Sequence, residues 1–186
     1  MIKNGNKVSS HKSELELNVV WTIGHSTRSI EEFIAMLQSF NITMVVDVRH
    51  FPGSRKFPHF NKDALQVSLL QDNIHYQHLV ELGGRRKADK ASRNTVWRHP
   101  AFRAYADYIE TSSFKESITM LEEIATQQRT VYMCSEAVWW RCHRSMISDY
   151  LKANGWKVMH IMAIAKAEEH SFTAPAKIVN GSLTYE

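Results

Sequence analysis

Short apolar runs alternate with amphipathic stretches along the whole chain. Runs rich in β-branched residues predict strands. Four such runs lie at positions 19–23, 42–48, 129–134 and 156–161, and the alternating run at 74–78 predicts a fifth strand. Between them, apolar residues recur every three or four positions, which is typical of helices with one buried face. Helices are expected at about 30–40, 64–70, 100–110, 114–124 and 140–153.

This order predicts an α/β fold, a single domain with a mostly parallel five-stranded sheet flanked by helices on both faces. The chain of 186 residues suits one domain at 19–186, and the polar stretch 1–18 is interpreted as a flexible leader. In such sheets ligands collect outside the carboxyl ends of the strands. The predicted ends carry ionisable side chains and are expected to line one shared crevice; they are His25, Arg49, His78, Cys134 and His160.

Local signals mark several turns. Ser29 is followed three residues later by Glu32, which indicates a capping box, and Asn61 is expected to cap the second helix. Asn180 and Gly181 predict a late hairpin.

Composition and charge indicate which partners and which compartment to expect. The net charge is +4, which permits an anionic partner, and no apolar run approaches the roughly 20 residues that a spanning helix needs. The start of the chain lacks an apolar signal core, so a cytoplasmic protein without a membrane partner is expected. The chain has two cysteines, and in a reducing compartment free thiols are favoured over a disulfide.

The densest group of reactive side chains lies at 134–144. Cys134 follows an apolar strand and is predicted to be a nucleophile or redox thiol, with a small buried hydrophobe as the alternative. Cys142 falls on the predicted helix and is interpreted as packed against the sheet. Glu136 and His143 are candidates for proton transfer, although an ion pair between Glu136 and Arg144 is an equally simple interpretation.

Other polar strand ends and basic loops predict binding of an anion. Two residues apart on one strand, Asp47 and Arg49 face the same way and form either a structural or a functional pair. Arginines and glycines in loops can hold phosphate through side chains and exposed amides. The predicted substrate-binding residues are His25, Asp47, Arg49, Ser54, Arg55, Gly83, Gly84, Arg85 and Arg144.

Several of these motifs occur together, and their combination resembles one known family. The motifs are Thr22-Ile23-Gly24-His25-Ser26, Asp47-Val48-Arg49 with Pro52-x-Ser54-Arg55, Phe60-Asn61, Leu82-Gly83-Gly84-Arg85, and Cys134-x-Glu136 with Cys142-His143-Arg144. From about 21 to 161 the chain resembles the domain of unknown function DUF488. The resemblance implies an α/β fold and a bacterial or archaeal source, and it implies no settled activity. Trp139 and Trp140 stand where such proteins often carry polar residues, which could alter access to the thiols.

Two functions from different classes fit these residues. The first is an enzyme that acts on a phosphate- or nucleotide-like anion through Cys134, Glu136 and His143. The second is a non-catalytic module that binds nucleic acid or a nucleotide through the same arginines. The cysteines and histidines could also hold a metal, but their spacing matches no familiar ligand pattern, so no metal residue is assigned. The sequence specifies no cofactor and no oligomeric state.

Overall fold

The computed structural model describes residues 18–87 and 89–186. Its strands are β1 (Val19–Gly24), β2 (Met44–Asp47), β3 (His75–His78), β4 (Thr130–Cys134), β5 (Lys157–Ala163), β6 (Lys166–Glu169), β7 (Lys177–Val179) and β8 (Ser182–Thr184). Its α-helices are α1 (Ile30–Gln38), α2 (Lys62–Gln71), α3 (Pro100–Ile109), α4 (Ser112–Gln127) and α5 (Arg144–Ala153). Single 3₁₀ turns occupy Pro58–Phe60, Val80–Leu82 and Trp139–Arg141.

One six-stranded sheet carries the fold, in the order β3-β2-β4-β1-β5-β6. The first five of these strands pair in parallel, and β6 runs antiparallel to β5. The parallel strands therefore end at one edge, with β1 and β4 side by side at the centre. The predicted α/β class with a mostly parallel sheet is confirmed.

Helices cover both faces of the sheet because successive strand residues point to opposite sides. On β1, Val20 packs in one core cluster with residues of α3, α4 and α5. Its neighbour Trp21 packs in the other cluster with residues of α1 and α2. The central strands are buried over most of their length, which explains their continuous apolar runs.

Four local predictions can be compared with the structure. Ser29 caps α1 as predicted, by accepting the backbone N–H of Glu32 at 3.1 Å, but the Glu32 carboxylate pairs with Arg28 at 3.2 Å instead of closing the capping box. Asn180 and Gly181 form the turn between β7 and β8, as predicted. Asn61 occupies the cap position of α2, but its side chain accepts the N–H of Ser54 at 2.6 Å instead of a helix N–H. The sheet has six strands where five were predicted, and the additional strand is β6.

Two predicted element boundaries move near the site. The helix expected from residue 140 begins at Arg144, after the 3₁₀ turn and two further residues. His160 lies inside β5 and not at its end. The leader predicted at 1–18 lies outside the described residues except for Asn18, and the assignment of 19–186 to one domain stays a prediction. Within the described ranges, no helix is both long enough and apolar enough to cross a membrane.

Candidate functional site: a paired-thiol centre

The two cysteines meet at the carboxyl edge of the sheet. Cys134 is the last residue of β4, and Cys142 follows the 3₁₀ turn, two residues before α5 begins. The Sγ atoms of Cys134 and Cys142 and a ring nitrogen of His143 all lie within 4.8 Å of one another. Both cysteines are free, and both line a cleft while remaining mostly buried, at 7% and 3% exposure. The strand end and the helix start thus bring together two thiols and an imidazole.

Hydrogen bonds set the orientation and the tautomer of His143. Its Nε2 lies 3.2 Å from the carbonyl oxygen of Val48, which can only accept, so Nε2 carries the proton. The other nitrogen, Nδ1, lies 3.6 Å from the sulfur of Cys142. In the neutral ring Nδ1 is therefore an acceptor that faces the Cys142 sulfur. A thiol, a base and a group that orients the base form the arrangement expected of an activated nucleophile.

Arg144 lies beneath this pair and is only 1% exposed. Its guanidinium donates to the hydroxyl of Thr22 at 3.0 Å and to the backbone carbonyl of Glu136 at 2.6 Å. The expected ion pair with the Glu136 carboxylate is therefore replaced by a bond to the Glu136 backbone. Among the described residues, no carboxylate lies within ion-pairing distance of Arg144. A buried cation without a carboxylate favours an anion nearby.

The two thiols differ in acidity. Burial alone would raise the pKa of Cys142, but the adjacent Cys134 thiol and the charge and backbone N–H of Arg144 outweigh burial and lower that pKa to about 6. The interaction with Cys142, followed by burial, raises the pKa of Cys134. The pair therefore shares one proton near neutral pH, with the negative charge on Cys142 and the proton on Cys134. The sequence points to Cys134 as the nucleophile, whereas the structure favours Cys142.

Asp47 and Arg49 form a tightly bonded buried pair at the end of β2. The guanidinium donates to both carboxylate oxygens, at 2.9 Å to one of them, and also to the carbonyl of Phe60 at 2.8 Å. Tyr76 donates its hydroxyl to the same carboxylate at 2.7 Å. Because its donors are largely occupied, Arg49 shapes the cleft wall and has little capacity left for a ligand.

His25 contacts the Asp47–Arg49 pair. One ring nitrogen donates to the carbonyl of Ser26 at 3.0 Å, and the other lies 3.3 Å from Nη1 of Arg49, from which it accepts. Burial and then the charge of Arg49 lower the pKa of His25 to about 4. His25 is therefore a neutral ring in the cleft wall and stacks on Phe60, with ring centroids 4.0 Å apart.

Two glycines allow backbone segments to approach the centre. A Cβ atom on Gly24 would lie 1.8 Å from the carbonyl oxygen of Glu136, so only glycine lets the loop after β4 pack against β1. A Cβ on Gly84 would lie 3.1 Å from Nδ1 of His143. Gly84 thus leaves space beside the imidazole, and Gly83 packs its backbone against His50 in the same way.

A cleft of about 1120 Å³ opens above the thiols. Eight of the predicted site residues line it, namely Cys134, Glu136, His143, His25, Arg49, Ser54, Gly84 and Arg85. Four do not, namely Asp47, Arg55, Gly83 and Arg144. Arg55 is exposed away from the lining, and Ser54 uses its hydroxyl to accept the N–H of Phe57 at 3.0 Å. Of the strand ends expected in one crevice, those of β1, β2 and β4 meet here, whereas His78 and His160 do not line it.

Cations and aromatic rings line the cleft beyond the predicted set. Arg85 and Arg141 are exposed, and neither has an ion-pair partner within the described part of the chain. Among the described lining residues, Glu136 is the only carboxylate. The lining residues that sequence reasoning did not assign include Cys142, His50, His99, Tyr105, Trp140 and Arg141. For Cys142 a signal existed, because it directly precedes His143 and Arg144 just before a helix.

A second buried polar cluster supports the loop between the cysteines. His160 stacks on Trp139 with ring centroids 4.3 Å apart, and Trp139 donates its indole N–H to Glu168 of β6 at 2.7 Å. Behind this ring, His160 contacts His170 at 2.9 Å, and His170 contacts Asp149 of α5 at 3.0 Å. Trp139 is therefore an anchor of the loop, whereas Trp140 stays 52% exposed at the cleft.

The fold and the site define an α/β protein with a paired-thiol centre at the carboxyl edge of a parallel sheet. The family described as domain of unknown function DUF488 matches residues 29–151, about two thirds of the chain. The chain therefore belongs to this family, as the sequence motifs indicated. No curated protein and no solved structure matches the chain.

Proposed function

We propose that this protein is an enzyme that acts on an anionic, phosphate- or nucleotide-like substrate through an ionised Cys142. The observation that carries the proposal is the position of this thiolate, at the floor of a cleft that exposes two arginines, Arg85 and Arg141, and one carboxylate, Glu136. Arg144 supports the thiolate from below, and His143 faces it at 3.6 Å. A lowered pKa of this kind characterises cysteines that act as nucleophiles.

The proposed reaction has two steps that return the site to its starting state. In the first, the sulfur of Cys142 forms a bond to the electrophilic atom, and the bond to the leaving group breaks with its electron pair. The Cys134 thiol supplies the leaving group's proton, because its own acidity increases once the neighbouring thiolate is consumed. In the second, water attacks the covalent intermediate and gives a proton to Nδ1 of His143, and Cys142 departs as a thiolate. His143 then returns the proton to Cys134.

The surrounding residues divide between binding and positioning. Arg85 and Arg141 project into the cleft without ion-pair partners among the described residues and are proposed to hold the substrate's anionic group. Glu136, the exposed carboxylate at the lining, is placed to orient the attacking water. Arg144 acts as a positioning residue through the thiolate and the Glu136 carbonyl. The proposal places the protein in the cytoplasm, where both thiols stay reduced.

A second candidate, a nucleic-acid- or nucleotide-binding module without turnover, draws on the exposed aromatic rings. Phe51 is 65% exposed and has the guanidinium of Arg85 above its ring at 5.7 Å, and Trp140 is 52% exposed across the cleft. Rings and cations of this kind stack on bases and pair with phosphates. Under this alternative neither thiol takes part in the function.

The test is alkylation of each cysteine by iodoacetamide as a function of pH, read by mass spectrometry of the intact protein and its peptides. We expect Cys142 to label with an apparent pKa near 6, well below the roughly 8.5 of a free thiol. AMP should slow this labelling, and Arg85→Ala with Arg141→Ala should remove the protection. The matched control is Lys115→Ala, an exposed cation on α4 that does not line the cleft.

Turnover separates the two candidates. With p-nitrophenyl phosphate and nucleoside monophosphates as probes, the enzyme proposal expects Cys142→Ser to abolish product release while AMP still binds. If Cys142→Ser leaves turnover unchanged, or if Cys142 resists iodoacetamide until the protein is unfolded, the thiolate proposal fails. If AMP binds, no probe turns over, and affinity depends steeply on salt, the binding module is favoured instead.

A further inference from the structure

The two thiols have a second chemical possibility that the proposed reaction does not use. They are the only cysteines of the chain, and their sulfur atoms lie within 4.8 Å of each other at the floor of the cleft. An oxidised Cys142 therefore has one possible thiol partner within the molecule, and that partner is already adjacent. Redox-sensing cysteines often combine a thiol of low pKa with a resolving thiol next to it.

We propose that Cys134 and Cys142 form a reversible redox pair that a hydroperoxide oxidises and that switches off the site described above. The inference rests on the ionised Cys142 of the proposed function, but it does not depend on the anionic substrate. It assigns a second class of reactant, a small hydroperoxide, to the same cleft.

The reaction balances in two steps. The Cys142 thiolate attacks one oxygen of the hydroperoxide, the O–O bond breaks, and the released alkoxide or hydroxide takes a proton, so that Cys142 becomes a sulfenic acid. The Cys134 sulfur then attacks the sulfur of this sulfenic acid, a disulfide forms, and water leaves with the Cys134 proton. The two thiols lose two electrons in total, and the hydroperoxide gains them.

Because both thiols are buried, the size of an oxidant decides whether it can reach them. Cys142 is 3% exposed and Cys134 is 7% exposed, at the bottom of a lining that includes Trp140. Hydrogen peroxide is small enough to reach such a sulfur through the cleft, whereas a bulky disulfide is not. Burial therefore favours a small hydroperoxide over thiol–disulfide exchange with a large partner.

Arg144 makes the disulfide easy to reduce. Among the described residues its guanidinium has no carboxylate partner, and Nε, which is buried, has no hydrogen-bond partner. The Cys142 thiolate is thus the anion that compensates this buried cation. A neutral disulfide removes that compensation, which destabilises the oxidised form relative to the reduced form. The structure therefore favours a switch that thiols reverse over a permanent structural bridge.

To test this proposal, the reduced, full-length protein is treated with a small excess of hydrogen peroxide at pH 7. The intact mass and the number of thiols that can still be alkylated are then measured. We expect a mass lower by two hydrogen atoms, loss of both thiols, and full recovery with dithiothreitol. Cys134→Ser should stop at the sulfenic acid, which dimedone captures at Cys142. Cys142→Ser should give no loss of two hydrogen atoms, because it removes one of the only two sulfurs that can form the disulfide.

A second variant examines the role of Arg144. In a dithiothreitol redox buffer, whose thiol and cyclic disulfide are both small, Arg144→Lys, which keeps the charge but loses the fork of donors, should shift the balance toward the disulfide by about tenfold. If this variant does not fold, the peroxide experiment on the wild-type protein and on Cys134→Ser still decides the matter.

The outcomes separate this inference from the proposed function. If iodoacetamide labels Cys142 rapidly but peroxide yields only sulfinic acid, the thiolate stands and the redox pair is refuted. If peroxide gives a disulfide that dithiothreitol does not reduce, the reversible switch is refuted. If neither reagent reacts with the folded protein, the thiolate itself is absent and both proposals fail.

Discussion

Replacing Gly24 with alanine tests how closely the loop after β4 packs against the central strand. The new Cβ would lie 1.8 Å from the Glu136 carbonyl oxygen and 2.9 Å from Nη2 of Arg144. Contacts under 3.0 Å are not tolerated, so the carbonyl must retreat by about 1.2 Å. That retreat stretches the 2.6 Å bond from Arg144 to Glu136 beyond hydrogen-bonding range.

The expected cost combines two contributions. Losing a hydrogen bond from a charged donor costs about 1.5–3 kcal/mol, and overpacking a tight contact costs about 1–3 kcal/mol. The free energy of unfolding should therefore fall by about 2.5–6 kcal/mol, a large share of the roughly 5–15 kcal/mol typical of a domain. With a urea dependence of about 2 kcal/mol per molar, the unfolding midpoint should fall by about 1.25–3 M.

Urea unfolding followed by tryptophan fluorescence measures the midpoint, and iodoacetamide labelling of Cys142 measures the site. Gly53→Ala is the matched control, because the nearest atom to its Cβ would be 4.0 Å away and its backbone needs no positive φ. We expect Gly53→Ala to leave the midpoint within a few tenths of a molar. If Gly24→Ala behaves like this control and its Cys142 labels at the wild-type rate, the close packing of the loop on β1 is refuted.

Two further predictions concern buried polar groups. The pKa of His25 is lowered to about 4 by burial and then by Arg49, so the unfolded chain takes up a proton before the folded protein does as the pH falls. The free energy of unfolding should therefore be highest above about pH 6.5 and should fall by about 3 kcal/mol toward pH 4. His25→Gln should flatten this dependence in urea midpoints measured at several pH values, and an unchanged slope would contradict the assignment. Asp149 accepts bonds from His170, Thr173 and Tyr185, so Asp149→Asn should lower the unfolding free energy by about 2–4 kcal/mol, whereas Tyr185→Phe should cost about 1 kcal/mol. Equal effects of the two variants in thermal unfolding would count against a carboxylate that holds the C-terminal segment.

Much of the fold is predictable because the signals are strong and local. Continuous apolar runs marked the central strands β1, β2 and β4, since strands buried on both faces have no polar alternation. Less regular or alternating runs marked β5 and the edge strand β3, which are only partly buried. The edge strand β6, Lys166–Glu169, carries three charged residues and is mostly exposed, so nothing apolar marks it. It forms because β5 offers a free edge, and edge strands tolerate charge.

The sequence predicts which residues belong to the site better than it predicts what each of them does. Parallel topology brings the ends of β1, β2 and β4 together, so the sequence identifies Cys134, His25 and Arg49 as neighbours. Which thiol ionises depends on contacts that sequence spacing does not specify. The pKa of Cys142 is lowered by the Cys134 thiol and by the charge of Arg144. The backbone N–H of Arg144 adds to this effect, because α5 begins at Arg144 and leaves the Cys142 thiol outside the helix.

Paired charges were the hardest to assign from sequence. Glu136 and Arg144 have complementary charges, yet Arg144 bonds to the Glu136 backbone and leaves the carboxylate exposed. Asp47 and Arg49 do form the expected pair, and the extra bonds from Tyr76 and to Phe60 assign it a structural role in the cleft wall.

The stacking of Trp139 on His160 has a consequence for how this family is compared. The family match ends at 151, but the loop that carries Cys142 is fastened to β5 and β6, which come after it. At the other end, β1 precedes the match and supplies Gly24, against which the same loop rests. The reactive residues and their supports thus belong to different stretches of chain. A domain excised at 29–151 would keep both thiols and lose the strands that hold the loop between them.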